Sequence, residues 1–158
     1  MTNPAAQSPI LATAIERFVH VMSTLNADNV SELKWLFTES ARFKDPFNDV
    51  VGRAAIERVF THGLKQCPAL RFVVDEIAPV TPSNPSAGVV FFYWRFLCGG
   101  LNAAPEALYI TGVSRVVFDA DGLVCEHIDF WDPAEQLYSR VPVLNGLMGW
   151  IRRRLSAR

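Results

Sequence analysis

The sequence predicts an α+β fold: a cone-shaped, curved mixed or antiparallel β-sheet wrapped around N-terminal helices. Three observations predict it. Up to Gly63 the apolar residues recur at three and four, the helical period. From Leu70 the pattern changes to strands. Those strands follow one another through Gly- and Pro-bearing turns instead of alternating with helices, which separates α+β from α/β. A long curved sheet around helices leaves a mouth that can hold a ligand.

Taken in order, residues 1–9 read as a flexible tail with Pro4 and Pro9. Ile10 to Leu25 is a helix, because Leu11, Ala14, Ile15, Phe18, Met22 and Leu25 form one apolar stripe. Asn29-Val30-Ser31-Glu32 has the form of a capping box and starts a second helix. Ala41 to Asp45 is a short strand. A third helix follows Gly52, with Ile56, Val59 and Phe60 inward and Gly63 as its stop. Leu70–Ile77 is the next strand, and Pro79, Pro82 and Pro85 mark a surface loop. Gly88–Leu97 is a dense aromatic strand whose consecutive apolar residues require cover on both faces. Cys98–Glu106 is a hairpin loop and Ala107–Phe118 a strand. Asp119-Ala120-Asp121-Gly122 is a tight turn, with Gly122 suited to positive φ. Leu123–Trp131 returns antiparallel. Asp132-Pro133-Ala134-Glu135 caps a short helix, and a last helix runs to about Leu155. The division is one domain over residues 10–138 with a C-terminal amphipathic helix, 139–158, packed on it.

Composition narrows the function. The chain has 158 residues, enough for one domain with a sizeable core. Net charge is −1, so no global field draws in nucleic acid. Eleven Phe, four Trp and three Tyr fit walls around an apolar cavity, or simply the liking of sheets for aromatics. Cys67, Cys98 and Cys125 are an odd, scattered set with neither metal spacing nor a disulfide framework, so a reduced, cytoplasmic protein is expected. His20, His62 and His127 fall on separate elements, and no metal or other cofactor is expected. No phosphate loop, dinucleotide fingerprint or nucleophile elbow occurs. Arg152, Arg153, Arg154 and Arg158 follow an apolar stripe. Such a helix can lie on an anionic membrane, but packing on its own domain is the expectation.

The stretch from Phe43 to Gly52 organises the candidate site. Pro46 removes a backbone donor and holds Asp45 extended, so the ladder stops there. Gly52 frees the entry into the next helix. Asp45 is expected where sheet, loop and helix meet, either reaching into a pocket or capping the turn.

Phe43-Lys44-Asp45-Pro46, then Gly52-Arg53-Ala54-Ala55-Ile56-Glu57, then Phe118-Asp119-x-Asp121-Gly122, resemble the nuclear transport factor 2-like superfamily over residues 10–138. The ketosteroid isomerases and SnoaL-like polyketide cyclases are the named relatives. In the isomerases the aspartate of the Asp-Pro motif is the general base, and Asp45 matches it. Their oxyanion tyrosine aligns with Phe18, or with Val21, and their oxyanion aspartic acid with Ser114. Neither Phe nor Val carries a hydroxyl, and a serine is a weaker donor. Losing one such donor typically costs ~10²–10³ in rate, so steroid isomerisation by that route is not expected.

On the last strand, alternation places Cys125, His127, Asp129 and Trp131 on one face and Glu126, Ile128 and Phe130 on the other. The resemblance turns the first set into the cone. It implies Asp45, His127 and Asp129 as catalytic residues, and Phe18, Phe47, Trp94, Ser114 and Trp131 as substrate-binding ones. A one-residue slip of register would reverse the faces. Two readings stand. One is a cofactor-free isomerase, cyclase or dehydratase acting on a small apolar or polycyclic molecule. The other is a non-catalytic ligand-binding or protein-interaction domain on the same scaffold. A homodimer through the outer sheet face is expected for both, and a membrane partner is not.

Overall fold

The computed structural model describes residues 8–67, 69–80, 88–99 and 108–157. Helix α1 (Pro9–Thr24) has its proline at the start, where an N–H would be unsatisfied anyway. It buries Ala14, Ile15, Phe18 and Met22, the stripe read from the spacing. The Phe18 ring meets Phe92 at 4.8 Å and Phe118 at 6.1 Å, which seats α1 on the concave side of the sheet.

The expected second helix is a 3₁₀ segment, Val30–Trp35. The capping box does not form, because Asn29 Oδ1 accepts from Asn26 N at 2.7 Å instead. Short polar side chains compete with the helix for backbone donors in this way. Strand β1 (Phe37–Lys44) is longer than expected and hairpins with β2 (Asp49–Val51), a strand too short to show a period. Helix α2 (Arg53–Gln66) begins after Gly52, whose φ is 97°. It runs through Gly63, the expected stop, because that glycine stays helical.

The remaining strands are β3 (Arg71–Val80), β4 (Gly88–Cys98), β5 (Leu108–Phe118) and β6 (Val124–Phe130). Their order across one curved sheet is β2-β1-β6-β5-β4-β3. β1 and β6 run parallel, and the other pairs are antiparallel. Gly122 has φ 77°, and Asp119 Oδ1 accepts from Asp121 N and Leu123 N, so the β5–β6 turn is built as its sequence implied. Most of the expected tail, the loop around Pro82 and Pro85 and most of the Cys98–Glu106 loop lie outside the described residues.

Two expectations are corrected. Cys67, just after α2, and Cys98, at the end of β4, form a disulfide across a sequence separation of 31. Strand pairing brings together what looked scattered in sequence. The cysteines therefore no longer argue for a reducing compartment. The last helix, α4 (Pro142–Leu155), follows a short α3 (Pro133–Gln136), and among the described residues it meets mainly the turn at Tyr138–Arg140 rather than the sheet. None of its residues is buried, although Met148, Gly149 and Ile151 are half-covered.

Candidate functional site

Strand register assembles the site. On the concave face Phe92 pairs with Ser114, and Ser114 with Asp129, in one row across β4, β5 and β6. The next row is Val90, Val116, His127 and Phe43. On the other side Trp94 pairs with Gly112. Alternation along each strand then puts four polar side chains on one patch.

They are hydrogen-bonded to one another. Trp94 Nε1–H donates to Ser114 Oγ at 2.8 Å. The Ser114 hydroxyl donates to Asp129 Oδ1. His127 Nε2 lies 2.8 Å from the same Oδ1 and 3.2 Å from Ser114 Oγ. With a carboxylate as its nearest partner, Nε2 carries the proton, an assignment made from the network. Both bonds fall on Oδ1; among the described residues Asp129 Oδ2 has no donor.

The surroundings are apolar. His127 is 2% exposed and Ser114 3%. The imidazole sits among Phe18 at 5.5 Å, Phe37 at 6.2 Å and Phe43 at 5.1 Å. Its Nδ1 is buried with no partner, an arrangement that is costly for a polar atom. A cavity of about 20 Å³ lies beside the cluster, lined by Phe18, Met22, Phe72, Val74, Phe92 and Trp94 together with Ser114, His127 and Asp129. That is room for one water.

The structure thus brings together Phe18, Trp94, Ser114, His127 and Asp129. Asp45 is placed differently. Its Oδ1 accepts from Phe47 N at 2.7 Å, Asn48 N at 2.6 Å and Asn48 Nδ2 at 3.0 Å, and Oδ2 accepts from Asn48 Nδ2 at 3.0 Å. Asp45 N also donates to Asn48 O. The carboxylate closes the β1–β2 hairpin and does not line the cavity. The expectation of an acid hanging into the pocket is corrected: Asp-Pro-Phe-Asn is an Asx turn. Phe47 and Trp131 meet edge to face at 5.5 Å, with Phe47 exposed, and neither lines the cavity. Asp132 is a cap, accepting from Ala134 N and Glu135 N.

A bulge alters the face of β6. Val117 pairs with Glu126 and Phe118 with Val124, so Cys125 is the extra residue and Val124 points into the core in its place. Cys125 therefore does not share the pocket face. Its Sγ lies 3.3 Å from Val117 O, and burial pushes the thiol's pKa up.

Gly112, on β5, makes room for one member of this cluster. A Cβ there would lie 2.4 Å from Trp94 Cζ2, so the indole occupies the space of the missing side chain. A glycine inside a strand is the signal for such close approach. Among the described residues no cluster of His, Cys, Asp and Glu could hold a metal ion.

Comparison with known proteins agrees with this architecture. No curated protein matches the sequence. Solved structures do match. A nuclear transport factor 2-like superfamily protein from Salmonella enterica superposes with TM-score 0.62 at 18% identity, over 80% of this chain and 93% of that one. A candidate SnoaL-like polyketide cyclase from Jannaschia gives 0.57 at 18%, over 80% and 90%. A candidate hydroxylase from Streptomyces galilaeus gives 0.61 at 18%, over 84% and 98%. At these identities the likeness is one of fold. The model of the SnoaL-like domain matches residues 15–127, from the first helix into the last strand, and this chain belongs to that family.

Proposed function

We propose that this chain binds a small, apolar, carbonyl-bearing or polycyclic molecule on the concave face of its sheet. There it moves a proton on that molecule without a cofactor. The observation that carries this reading is the Trp94–Ser114–Asp129–His127 cluster inside an aromatic enclosure. Asp129 Oδ2 is the base. It takes a proton from carbon activated by the neighbouring carbonyl and returns it at a second position, an isomerisation, cyclisation or dehydration according to the substrate. His127 Nε2–H and the Ser114 hydroxyl hold Oδ1 and so fix the carboxylate's direction. His127 Nδ1, like Asp129 Oδ2, is left without a partner among the described residues and is open to a ligand. Asp45 supports the rim by setting the turn that carries Phe47.

A ligand of this class needs ~300 Å³ or more, far above the present hollow. Binding therefore requires Met22, Phe72 and Val74 to move apart, and methionine is the most adaptable of the three. The near-filled hollow favours the second reading, a non-catalytic binding or interaction domain. One experiment separates the two. Polycyclic ketones are screened by thermal shift, and the best binder is followed by NMR in D₂O. Enzyme-dependent exchange of the C–H next to the carbonyl, lost by ~10²-fold or more in Asp129→Asn, supports catalysis. Binding without exchange leaves only the binding domain. No stabilisation by any member of the panel overturns both.

A further inference from the structure

The last helix is amphipathic, and most of its apolar side is exposed. Val143 is 83% exposed and Leu155 81%, and Leu147 and Trp150 are about half exposed. Val143, Leu147, Trp150 and Arg154 follow at spacings of four, three and four, which places them on one side. Leu144, Ile151 and Leu155 flank them. Arg152 and Arg153 fall on the opposite side with Asn145, Gly146 and Gly149. A Cβ at Gly146 would meet nothing within 4 Å, so no described residue presses on the helix there.

Charge says what covers the helix. All sixteen Asp and Glu lie at or before Glu135, and five of the fifteen Lys and Arg lie after it. The domain is therefore net acidic and its last 23 residues purely cationic. Arg154 stacks over the Trp150 ring at 5.3 Å. An apolar side with a tryptophan, a polar side carrying Arg152 and Arg153, and no acid on either suit the boundary between lipid headgroups and acyl chains. The helix has 14 residues, about 21 Å, and no described helix is long and apolar enough to cross a membrane. We infer that α4 lies flat in the surface of an anionic bilayer, held by its apolar side and by Arg152, Arg153 and Arg154.

The test is flotation of the full chain with vesicles of phosphatidylcholine alone or mixed with phosphatidylglycerol. The protein is expected to float with the anionic vesicles and to be released by salt. Arg152→Gln/Arg153→Gln/Arg154→Gln should weaken this by about a hundredfold, and Leu147→Glu should abolish it. Both variants change exposed residues, so an unchanged thermal melt confirms that the domain is folded. Failure to float with either vesicle overturns the inference, as does equal flotation with both that ignores the arginine substitutions. It is equally overturned if light scattering shows a dimer that Leu147→Glu dissociates, since a second copy then covers the helix.

Discussion

Gly112 lies opposite Trp94 in the β4–β5 ladder, and the indole rests where its side chain would be. That vacancy lets Nε1 reach Ser114 on the neighbouring row. Gly112→Ala would push a methyl to 2.4 Å from the ring and toward Phe130 O at 3.0 Å. Overpacking of this kind costs about 1–3 kcal/mol. The expected result is a lower melting temperature with altered near-UV signals from Trp94. Combining it with Trp94→Phe, which removes ring volume, should cost less than the sum of the two changes. Strict additivity would show that the two sites are not in contact.

Asp129 and Asp45 separate the chemistry from the turn. Asp129→Asn keeps the shape but removes the charge, and proton exchange on a bound ketone should fall by ~10²-fold or more. Asp45→Asn retains an acceptor for Phe47 N and Asn48 N and should leave exchange near wild type. Asp45→Ala loses the turn's hydrogen bonds and should cost about 1–3 kcal/mol of stability. The opposite ranking of the two Asn variants would return the base to Asp45.

The fold could be read from the sequence because its signals are local. Alternation on the last strand placed His127 and Asp129 together, and Asp119 with Gly122 announced their own turn. What could not be read depended on contacts distant in sequence. The Cys67–Cys98 bond needs strands to pair before the sulfurs meet. Trp94 reaching Ser114 depends on register across two strands. Asp45 misled because the same Asp-Pro that marks the relatives' base is also a strong turn former, and here its neighbours Phe47 and Asn48 supply donors to its carboxylate. The Cys125 bulge shifted one residue between faces, a change of local pairing that composition does not record.

The disulfide closes a loop with a sequence separation of 31, for which chain entropy gives about 3–4 kcal/mol. Cys67→Ser/Cys98→Ser should therefore lower the melting temperature by about 10 °C. Under non-reducing, denaturing conditions one thiol per chain, Cys125, should be alkylated, and three after reduction. In the folded protein Cys125 should react slowly until the pH exceeds the usual thiol range, because burial raises its pKa. Three reactive thiols before reduction would show that the bond is open.

On the convex face Tyr93, Val113 and Phe130 form one row across β4, β5 and β6, and Phe91, Arg115 and Ile128 the next. Phe130 is 55% exposed. Arg115 pairs with Glu126 and Arg95 with Asp75 around these rows. An apolar stripe edged by ion pairs is suited to a second copy of the same sheet. Light scattering should give a dimer, and Phe130→Asp should give a folded monomer. A monomeric wild type would leave this face solvated.

Acid should weaken the fold through two surface pairs. The hydrogen bond from Arg95 holds Asp75 below the usual carboxylate range, and that from Arg42 does the same for Asp49. A carboxyl whose pKa is lower in the folded chain binds fewer protons there than when unfolded, so each pair stabilises at pH above the unfolded value, about 4. The contribution is lost as pH falls through the folded value. Both pairs are exposed, so each effect is small and screened by salt. The melting temperature should be insensitive to these pairs between pH 7 and pH 5 and should drop below about pH 4. High salt should narrow the gap between neutral and acid melts, and Arg95→Gln should remove part of it by freeing Asp75 to titrate normally. An acid limb unchanged by both salt and Arg95→Gln would show that these two pairs do not carry the loss.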